Sequence, residues 1–462
     1  MSEQTETQRL GLVDALVDYV MRFRREHIDD HAVRWAGFCF LDMFGCMLAA
    51  CAPEFTATGI LARFAELEGG QGKASLVGRP WQTSATAAAL FNGTLGYYAD
   101  NEPRHTGSVS HILPCVVPAA LAIAEEKGAS GEDFLVASVV GIEVGCRVAG
   151  ALDPKALYAR GFHPTSVGGV FGAAAAAGHM LGLNRIQWGR TLGLAAQQAC
   201  GLLAWVDDPT EHSRPLSCGF AARNGLSAAR LAFWGCGGPP DPFEGKYSIF
   251  ESFSGTRKPE LITGGGAEGL AVGQMAAKRH VSCGFLHAGL DALLDLMKRE
   301  SLTIGEIDAM DLRLATSPAK VVDNSEIRSH NAQYILSACA RYGRITTDDI
   351  LTDKRSDPEI ARLSRNVRVI YDHELEQIYP KQFSSIITVT TREGRRLENR
   401  VDYPKGWPQN PLTDEEWLDK YMYMATQTAT EQQARRIADL TLNLNSVSDV
   451  RQLGEALALR YH

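Results

Sequence analysis

The most apolar stretch of the chain is VGGVFGAAAAAGHMLGL, residues 167–183. It is about as long as one membrane span, but Ala and Gly dominate it and His179 interrupts it. Small side chains let helix backbones approach one another closely. The stretch therefore predicts a buried helix inside a helical bundle, and we expect the protein to have no membrane partner.

On both sides of this stretch, apolar residues recur at three- and four-residue spacing between breaks at Gly, Pro and Asp, which is typical of amphipathic helices. Strand signals are hard to find before residue 234. The predicted helices are Leu10–Arg25, Ala32–Cys51, Thr56–Glu66, Ser84–Tyr98, Val116–Glu126, Gly131–Leu152, Val167–Leu181, Ile186–Trp205 and Gly219–Phe233.

The pattern changes after the Gly/Pro-rich residues 235–244 and the Gly264-Gly265-Gly266 run. Alternating, β-branched segments predict strands at Asp308–Leu314, Val367–Tyr371 and Ser385–Thr391, between helices at Ala288–Arg299 and Glu326–Ala340. A hairpin is predicted from Ile386–Thr391 to Leu397–Val401, with Gly394 in the turn. Helices return at Asp414–Thr428, Glu431–Leu442 and Val450–Leu459.

These elements predict a mainly α fold. A large all-helical domain is built from both chain ends, residues 1–269 and 403–462, and a smaller α+β domain, residues 270–402, is inserted into it. With 462 residues, of which 45% are hydrophobic, the chain is long enough for such a two-domain core.

Charge and composition exclude several classes of function. The net charge is −8, and no dense run of Lys and Arg is interleaved with aromatic residues, which argues against nucleic acid as a partner. A small anionic substrate is still compatible, because a few cations in one cleft can outweigh a weakly negative whole. The polar residues Met1 to Arg9 do not resemble a signal peptide, and the ten cysteines lack CxxC pairs, so a cytoplasmic protein with reduced thiols is expected.

No nucleotide-binding loop, HExxH or GxSxG motif is present. The sequence His280-x-x-Cys283-x-x-x-His287 contains residue types that bind metals, but no second pair lies at a zinc spacing. We therefore interpret it as a packed or hydrogen-bonded group, and we expect no metal.

The segment NGTLGYYADNEPRHTGSVSH, residues 92–111, follows a predicted apolar helix. It places two acids, a cation and two imidazoles in a loop punctuated by Gly and Pro, where a rigid scaffold can present reactive groups. A solvated surface loop is the alternative interpretation.

Two further segments place polar side chains at helix starts. His163 precedes the Ala-rich helix, with Thr165 or Ser166 as its cap, and Arg214 precedes the helix after Gly219. The free N–H groups of a helix N-terminus attract a carboxylate and favour neutral imidazole. Two such ends that converge would form an anion pocket without a metal.

Taken together, these motifs resemble the MmgE/PrpD family, which includes 2-methylcitrate dehydratase, cis-aconitate decarboxylase and an iminodisuccinate epimerase. The resemblance covers most of the chain. It rests on residues 92–111, Pro118–Ala122 with Glu125, Gly161–Thr165, Ala221–Gly225, Lys278 with Ser282, Cys283 and His287, and Tyr403–Gly406 followed by Asn410–Thr413.

The resemblance implies that the α+β domain is a lid, that the protein is a homodimer, and that the active site lies between the domains and uses neither metal nor cofactor. Carried over position by position, the catalytic residues would be Asp100, His111, His163, Lys278 and Tyr334. Whether His105 or His111 is the histidine of the loop stays open, because the loop is one residue longer than the family pattern.

Three positions depart from the family pattern. Tyr97 stands where the loop usually has a histidine, Arg104 replaces a threonine, and Arg214 replaces a lysine, with Ser217 in place of a nearby histidine. Guanidinium groups hold carboxylates in bidentate fashion and donate no proton at neutral pH. Tyr97, Arg104 and Arg214 are therefore expected to bind the substrate.

The function expected from the resemblance is removal of a proton next to a carboxylate of a small di- or tricarboxylate. A lyase, either a dehydratase or a decarboxylase of a 2-methylcitrate- or cis-aconitate-like acid, is the first interpretation. An epimerase or isomerase of a dicarboxylate, such as an iminodisuccinate-like N-substituted aspartate, is the second. A catalytically inactive homologue that only binds a carboxylate is the third. The base would be His163 or Asp100, and the acid His111 or Tyr334.

Overall fold

The computed structural model describes residues 11–264 and 269–459. The N-terminal polar segment, the predicted helix start at Leu10, and Gly265 and Gly266 lie outside the described residues. The fold is mainly helical, with 60% of residues in helices and 9% in strands, which confirms the predicted fold class.

Helices α1–α11 and four short strands form the first part of the chain. The helices are α1 (Leu12–Arg22), α2 (Asp30–Ala49), α3 (Thr56–Glu68), α4 (Ala85–Tyr98), α5 (Leu113–Lys127), α6 (Gly131–Ala151), α7 (Pro154–Ala159), α8 (Pro164–Leu181), α9 (Arg185–Gln198), α10 (Ser213–Phe233) and α11 (Glu260–Thr263). The strands are β1 (Ala74–Ser75), β2 (Gln82–Thr83), β3 (Arg104–His105) and β4 (Met275–Ala276).

The α+β part and the C-terminal helices follow. The former contains α12 (His287–Glu300), β5 (Ile307–Ala315), α13 (Thr316–Val322), α14 (Ala332–Tyr342), α15 (Thr347–Leu351), α16 (Pro358–Ser364), β6 (Val367–Asp372), α17 (His373–Ile378), β7 (Ser385–Thr391) and β8 (Arg396–Val401). The last helices are α18 (Asp414–Ala425), α19 (Glu431–Leu442) and α20 (Arg451–Leu457).

Helix α8 is the buried centre of the bundle, as its composition predicts, and it packs against α5, α6 and α10. Glycines make this packing possible. A Cβ atom on Gly168 would lie 2.7 Å from the carbonyl oxygen of Gly145, and one on Gly172 would lie 2.8 Å from that of Gly141. The α6 and α8 backbones therefore touch at these two positions.

Several predicted helix boundaries differ from those in the structure, and three of the differences affect site residues or their loops. Helix α8 begins at Pro164, so His163 is the N-cap residue, and Thr165 and Ser166 lie inside the helix rather than capping it. Proline suits this first position because its fixed φ matches the helix and its missing N–H would have had no partner.

Helix α10 begins at Ser213 rather than at Gly219, which places Arg214 in its first turn. Helix α9 ends at Gln198, because Ala199 is already extended, with φ −67° and ψ 130°. Gly201, at a φ of 128°, also cannot belong to a helix. The residues predicted to extend α9 instead form a loop with a 3-10 turn at Leu203–Asp207.

The larger sheet has the strand order β6-β5-β7-β8, in which β5 and β6 are parallel and the other pairs are antiparallel. The predicted β7–β8 hairpin is confirmed, with Gly394 at a φ of 83° in its turn. Helices α12 and α14 pack beside this sheet. The predicted helix at Glu326–Ala340 starts late, with a 3-10 turn at Arg328–His330 before α14.

Both chain ends share one apolar core, which includes Leu12 near the start and α18–α20 packed against earlier helices such as α2 and α5. Residues of the α+β part form a second core. The exact domain limits at 269/270 and 402/403 stay a prediction. Strands β3 and β4 join the two parts, because Arg104 of the first pairs with Ala276, which leads into the second.

Two helices, α2 and α6, are long and apolar enough to cross a membrane by length and composition. Their most apolar windows are 89% and 94% buried inside the protein. Core helices pass the same test, so this is weak evidence for a membrane span.

Candidate active site

The loop from Ala99 to Ile112 connects α4 to α5 and has a strained backbone. Asp100 has a φ of 52°, which Asp tolerates, but Val109 has a φ of 50°, which is rare for a β-branched residue. Such strain persists only where the surroundings hold it, and it is concentrated at functional sites. Here the β3–β4 pair and the hydrogen bond from the His111 N–H to Thr165 Oγ1 (2.9 Å) hold the loop.

A cavity of about 110 Å³ lies beside this loop, between the helical part and the lid domain. By the space one water molecule needs, it holds roughly eight to ten water-sized units. Six of the eight predicted site residues line it: Tyr97, Asp100, Arg104, His111, His163 and Lys278. Arg214 and Tyr334 do not.

Asp100 and Lys278 form the central ion pair of the site. The Lys278 ammonium donates hydrogen bonds to Oδ1 (2.6 Å) and the carbonyl oxygen (2.9 Å) of Asp100. Burial alone would raise the pKa of Asp100, but the charges of Lys278 and Arg214 hold it well below its usual range. Asp100 therefore stays ionised and is held by Lys278, and among the described residues its buried Oδ2 atom has no hydrogen-bond partner.

Glu102 is a site residue that the sequence analysis did not select. Its side chain is fully buried, with Oε1 3.3 Å from Lys278 Nζ and 2.6 Å from His111 Nδ1, although the imidazole is not aligned for a hydrogen bond. Burial raises the pKa of Glu102 to about 7, with Lys278 opposing the shift and Asp100 adding to it. Burial, with Lys278 and Arg104, holds the pKa of His111 well below its usual range. The proton of this pair therefore resides on Glu102.

His163 is a neutral imidazole at the N-terminus of α8. It is 2% exposed, and its Nδ1 atom has no hydrogen-bond partner. Burial, together with the nearby His111 and Arg214, lowers its pKa to about 3. The rings of Tyr97 and Trp205 lie 6.0 and 5.6 Å from it, so an apolar wall keeps the imidazole in place.

Arg104 is a buried cation without an acidic partner. Its guanidinium makes no hydrogen bond or ion pair within residues 11–264 and 269–459, and its Nε atom is buried. It lies over the rings of Phe285 (5.2 Å) and Phe383 (4.7 Å). Gly284 makes room for it, because a Cβ atom there would lie 2.8 Å from Nη1. A buried guanidinium in this state is well suited to bind a carboxylate.

Arg214 does not reach the cavity, which corrects the prediction that it contacts the substrate. Its two terminal nitrogens donate to the carbonyls of Tyr97 (3.1 Å) and Tyr98 (3.2 Å), at the end of α4. Nη1 also lies 3.8 Å from Asp100 Oδ1. Arg214 thus joins the start of α10 to the end of α4 and holds Asp100 from behind, where it lines a second cavity of about 190 Å³.

Tyr334 lies inside the lid domain, away from the predicted site. Its hydroxyl donates a hydrogen bond to the carbonyl oxygen of Asp349 (2.5 Å). His330, four residues earlier, lines the cavity instead, with Nδ1 3.9 Å from Asp100 Oδ2. His330 was not predicted as a site residue, because nothing in the sequence around it indicates that it, rather than Tyr334, faces the cavity.

The histidine of the loop is His111. The ring of His105 turns back into its own loop, where Nδ1 lies 2.8 Å from Ser108 Oγ, and it lines a different cavity.

The lid segment that contains metal-binding residue types is held by hydrogen bonds and close polar contacts. His280 Nε2 lies 3.3 Å from Asp291 Oδ1, and His287 Nε2 lies 3.4 Å from the Ser282 carbonyl oxygen. In the part of the chain that the structure describes, no three His, Cys, Asp or Glu side chains form a group that could hold a metal ion.

Among the described residues, the site thus combines a guanidinium without an acidic partner, an ion-paired ammonium and three neutral imidazoles at the junction between the helical part and the α+β part. Such groups can bind a carboxylate and accept or donate a proton beside it. The chain belongs to the MmgE/PrpD family: residues 14–262 match the MmgE/PrpD N-terminal domain and residues 280–446 match the C-terminal domain.

Several characterised proteins are similar to the chain. A cis-aconitate decarboxylase-like protein of Aspergillus oryzae is 28% identical over 83% of this chain and 84% of its own length. The cis-aconitate decarboxylase of Aspergillus terreus is 26% identical over 84% of each chain. A mitochondrial 2-methylcitrate dehydratase of Yarrowia lipolytica is 25% identical over 24% of each chain. Decarboxylases and dehydratases are both lyases, so these matches support a lyase.

Proposed function

We propose that the protein is a lyase that acts next to a carboxylate of a small di- or tricarboxylate: it removes the α-proton and expels water, or it expels carbon dioxide and protonates the carbon that receives the electron pair. The observation that carries the proposal is the pairing, in one cavity, of a buried guanidinium that lacks an acidic partner with a neutral imidazole whose Nδ1 is free. The first group suits a carboxylate, and the second suits its α-proton.

Arg104 would hold one carboxylate of the substrate. In a buried setting, a bidentate guanidinium–carboxylate pair fixes both position and orientation. The faces of Phe285 and Phe383 restrict the guanidinium, so little side-chain freedom is lost when the substrate binds.

His163 would be the base. Because burial keeps it neutral at pH 7, it can accept the α-proton, and the electron pair of the broken C–H bond then moves onto the neighbouring carboxylate as an enolate. Lys278 carries the positive charge that stabilises this enolate. Asp100 positions Lys278 and keeps it protonated, since it raises the pKa of the ammonium against the effect of burial.

His111 and Glu102 would supply the acid. As the electron pair returns to form a carbon–carbon double bond, the β-hydroxyl leaves with a proton from His111, which Glu102 replaces, and water is released. In a decarboxylation, His163 would remove no proton. The electron pair of the broken C–CO2 bond would stay on that carbon or move into a conjugated double bond, and His111 with Glu102 would protonate the carbon that receives it. No step in this scheme requires a metal or a cofactor.

An epimerase would use the same groups but return the proton to the opposite face of the carbon. Proton NMR in deuterium oxide with EDTA tests these outcomes, with citrate, 2-methylcitrate, cis-aconitate and chiral N-substituted aspartates as substrates. An alkene signal or loss of carbon dioxide supports the lyase. Deuterium at the α-carbon without an alkene would identify an epimerase, and binding without any exchange would identify an inactive homologue.

His163→Gln is the variant that tests the mechanism. We expect kcat to fall about 10³-fold, within the range for loss of a general base, with little change in substrate affinity. Tyr158→Phe is the matched control, since Tyr158 lines the same cavity and is given no role. An unchanged kcat in His163→Gln would remove this residue from the scheme.

We further propose a cytoplasmic homodimer. An apolar stripe on α3, formed by Ile60, Phe64 and Leu67, is 63%, 44% and 67% exposed and is a suitable contact for a second copy. Sedimentation velocity of the purified protein tests the dimer: a dimer in the wild type and a monomer in Phe64→Asp would support this contact. Fractionation of the source cells tests the location.

A further inference from the structure

The open end of the active-site cavity is apolar, and its closed end carries the charges. Val206 and Val321 both line the cavity and are 45% and 39% exposed, and Leu203 lies half-buried beside them. Lys278, Arg104 and Asp100 line the same cavity at 1%, 3% and 5% exposure. We call Leu203, Val206 and Val321 the apolar rim.

The rim is built from both parts of the chain. Leu203 and Val206 lie on the 3-10 turn after α9, and Val321 lies on α13 of the lid domain. Single exposed apolar side chains are common on protein surfaces and need no explanation. Two such residues from separate parts of the chain that line one cavity are a different matter, because each presents an apolar side chain to whatever enters it.

The closed end has room and charge for few carboxylates. Lys278 and Arg214 already face Asp100 and Glu102, so within the described residues Arg104 is the cavity cation without an acidic partner. Arg104 has free donors for one carboxylate. The three N–H groups of Lys278 already point to Asp100 and Glu102, so a further carboxylate of the substrate would be attracted there by charge alone. The small volume, about 110 Å³, leaves the remainder of any larger substrate to extend toward the opening.

We propose that the substrate is a dicarboxylate with an unbranched alkyl arm, and that this arm lies on the apolar rim. The reacting end of the substrate is the one assigned under the proposed function, and the inference rests on that assignment. The rim adds a selectivity for chain length that the charged groups cannot provide.

Calorimetric titration of the full-length protein with succinate and with methyl-, butyl- and octylsuccinate tests the rim without requiring turnover. Each buried methylene should tighten binding roughly three- to fourfold until the chain extends past Val206 and Val321. A dissociation constant that does not change with chain length would overturn the proposal.

The variant Val206→Ser/Val321→Ser should reduce the preference for octylsuccinate over methylsuccinate by about tenfold and leave succinate binding unchanged. Ile370→Ser is the matched control, because Ile370 is a β-branched lid residue of similar exposure, 38%, on β6. An equal loss of preference in the control, or none in the rim variant, would contradict a specific role for the rim.

Turnover of citrate, 2-methylcitrate, 2-butylcitrate and 2-octylcitrate separates the two proposals. If longer alkylsuccinates bind more tightly but no acid in either panel reacts, the proposed lyase function fails and the rim stands. If these citrates react with the same kcat/KM at every chain length, the rim proposal fails and the lyase function stands.

Discussion

Arg104 and Arg214 are equally buried, each 3% exposed, yet their surroundings differ completely. Arg214, in the first turn of α10, donates to two backbone carbonyls and faces Asp100. Within the part of the chain that the structure describes, the guanidinium of Arg104, on β3, contacts the faces of two phenylalanine rings and no acidic side chain. The comparison teaches that residue type and burial do not separate a structural cation from a ligand-binding one. The separation lies in whether the protein already satisfies the hydrogen-bonding groups of the side chain.

The largest difference between the two regions should appear when Arg104 is replaced. We expect Arg104→Met to lower kcat/KM about 100-fold, mainly through KM, because the substrate carboxylate loses its bidentate partner. Arg104→Lys keeps the positive charge but cannot form a bidentate pair with a carboxylate, so its kcat/KM should lie between those of Arg104→Met and the wild type. Steady-state kinetics with the acid found by NMR measures both. A KM that does not change would mean that Arg104 is structural after all.

Glu102 extends the comparison between satisfied and unsatisfied polar groups to a single side chain. One of its oxygens faces Lys278 and His111, and among the described residues the other has no hydrogen-bond partner. Its pKa is raised to about 7, so it carries a proton below that pH and loses it above. We expect kcat/KM to decrease as the pH rises through about 7. In Glu102→Gln this dependence should disappear, and activity at pH 6 should be about tenfold lower.

A pH profile of wild type, Glu102→Gln and Glu102→Asp measures this. The Asp variant retains a group that titrates and is the control for the shape of the profile. The same decrease near pH 7 in the Gln variant would assign the titration to another residue.

Replacement of Arg214 should affect stability more than catalysis. We expect Arg214→Lys to lower the free energy of unfolding by about 1–2 kcal/mol, because a lysine cannot donate to both the Tyr97 and Tyr98 carbonyls in the same geometry. The kcat/KM of the folded protein should change less than about threefold. Urea denaturation and steady-state kinetics on one preparation test this. A rise in KM as large as that of Arg104→Met would show that Arg214 also binds the substrate.

The smallest effect is expected at Tyr334, whose hydroxyl is satisfied by the Asp349 carbonyl. Tyr334→Phe should change kcat less than about twofold and cost about 1 kcal/mol of stability, since a buried carbonyl loses its donor. A tenfold loss of kcat with normal stability would place Tyr334 back among the catalytic residues.

Most of the fold could be predicted from the sequence, because helical periodicity and the change to alternating segments are local signals. The β7–β8 hairpin and the burial of α8 are confirmed, although α8 begins earlier than predicted. The start of α10 was not predicted because a proline such as Pro215 usually indicates the end of a helix. Pro215 lies in the first turn of α10, where proline is tolerated. The strands β3 and β4 have two residues each and carry no periodicity.

The site was predicted less completely than the fold. The composition of the loop and the helix start indicated Asp100 and His163, and the family resemblance added Lys278; all three line one cavity. They could not tell Arg104 from Arg214, or His330 from Tyr334, because these pairs differ only in contacts made by distant parts of the chain. Glu102 was visible as an acid of the loop, but its contact with Lys278 joins residues 176 positions apart.

The pairing of β3 with β4 also bears on the order in which the protein is assembled during synthesis. Asp100 and Glu102 leave the ribosome well before Lys278, which balances their charge. Until then, two carboxylates cannot enter a low-dielectric interior at moderate cost. The loop must therefore stay hydrated while the nascent chain grows. It can become buried only after the second half of the chain has been synthesised, because that half contains Lys278.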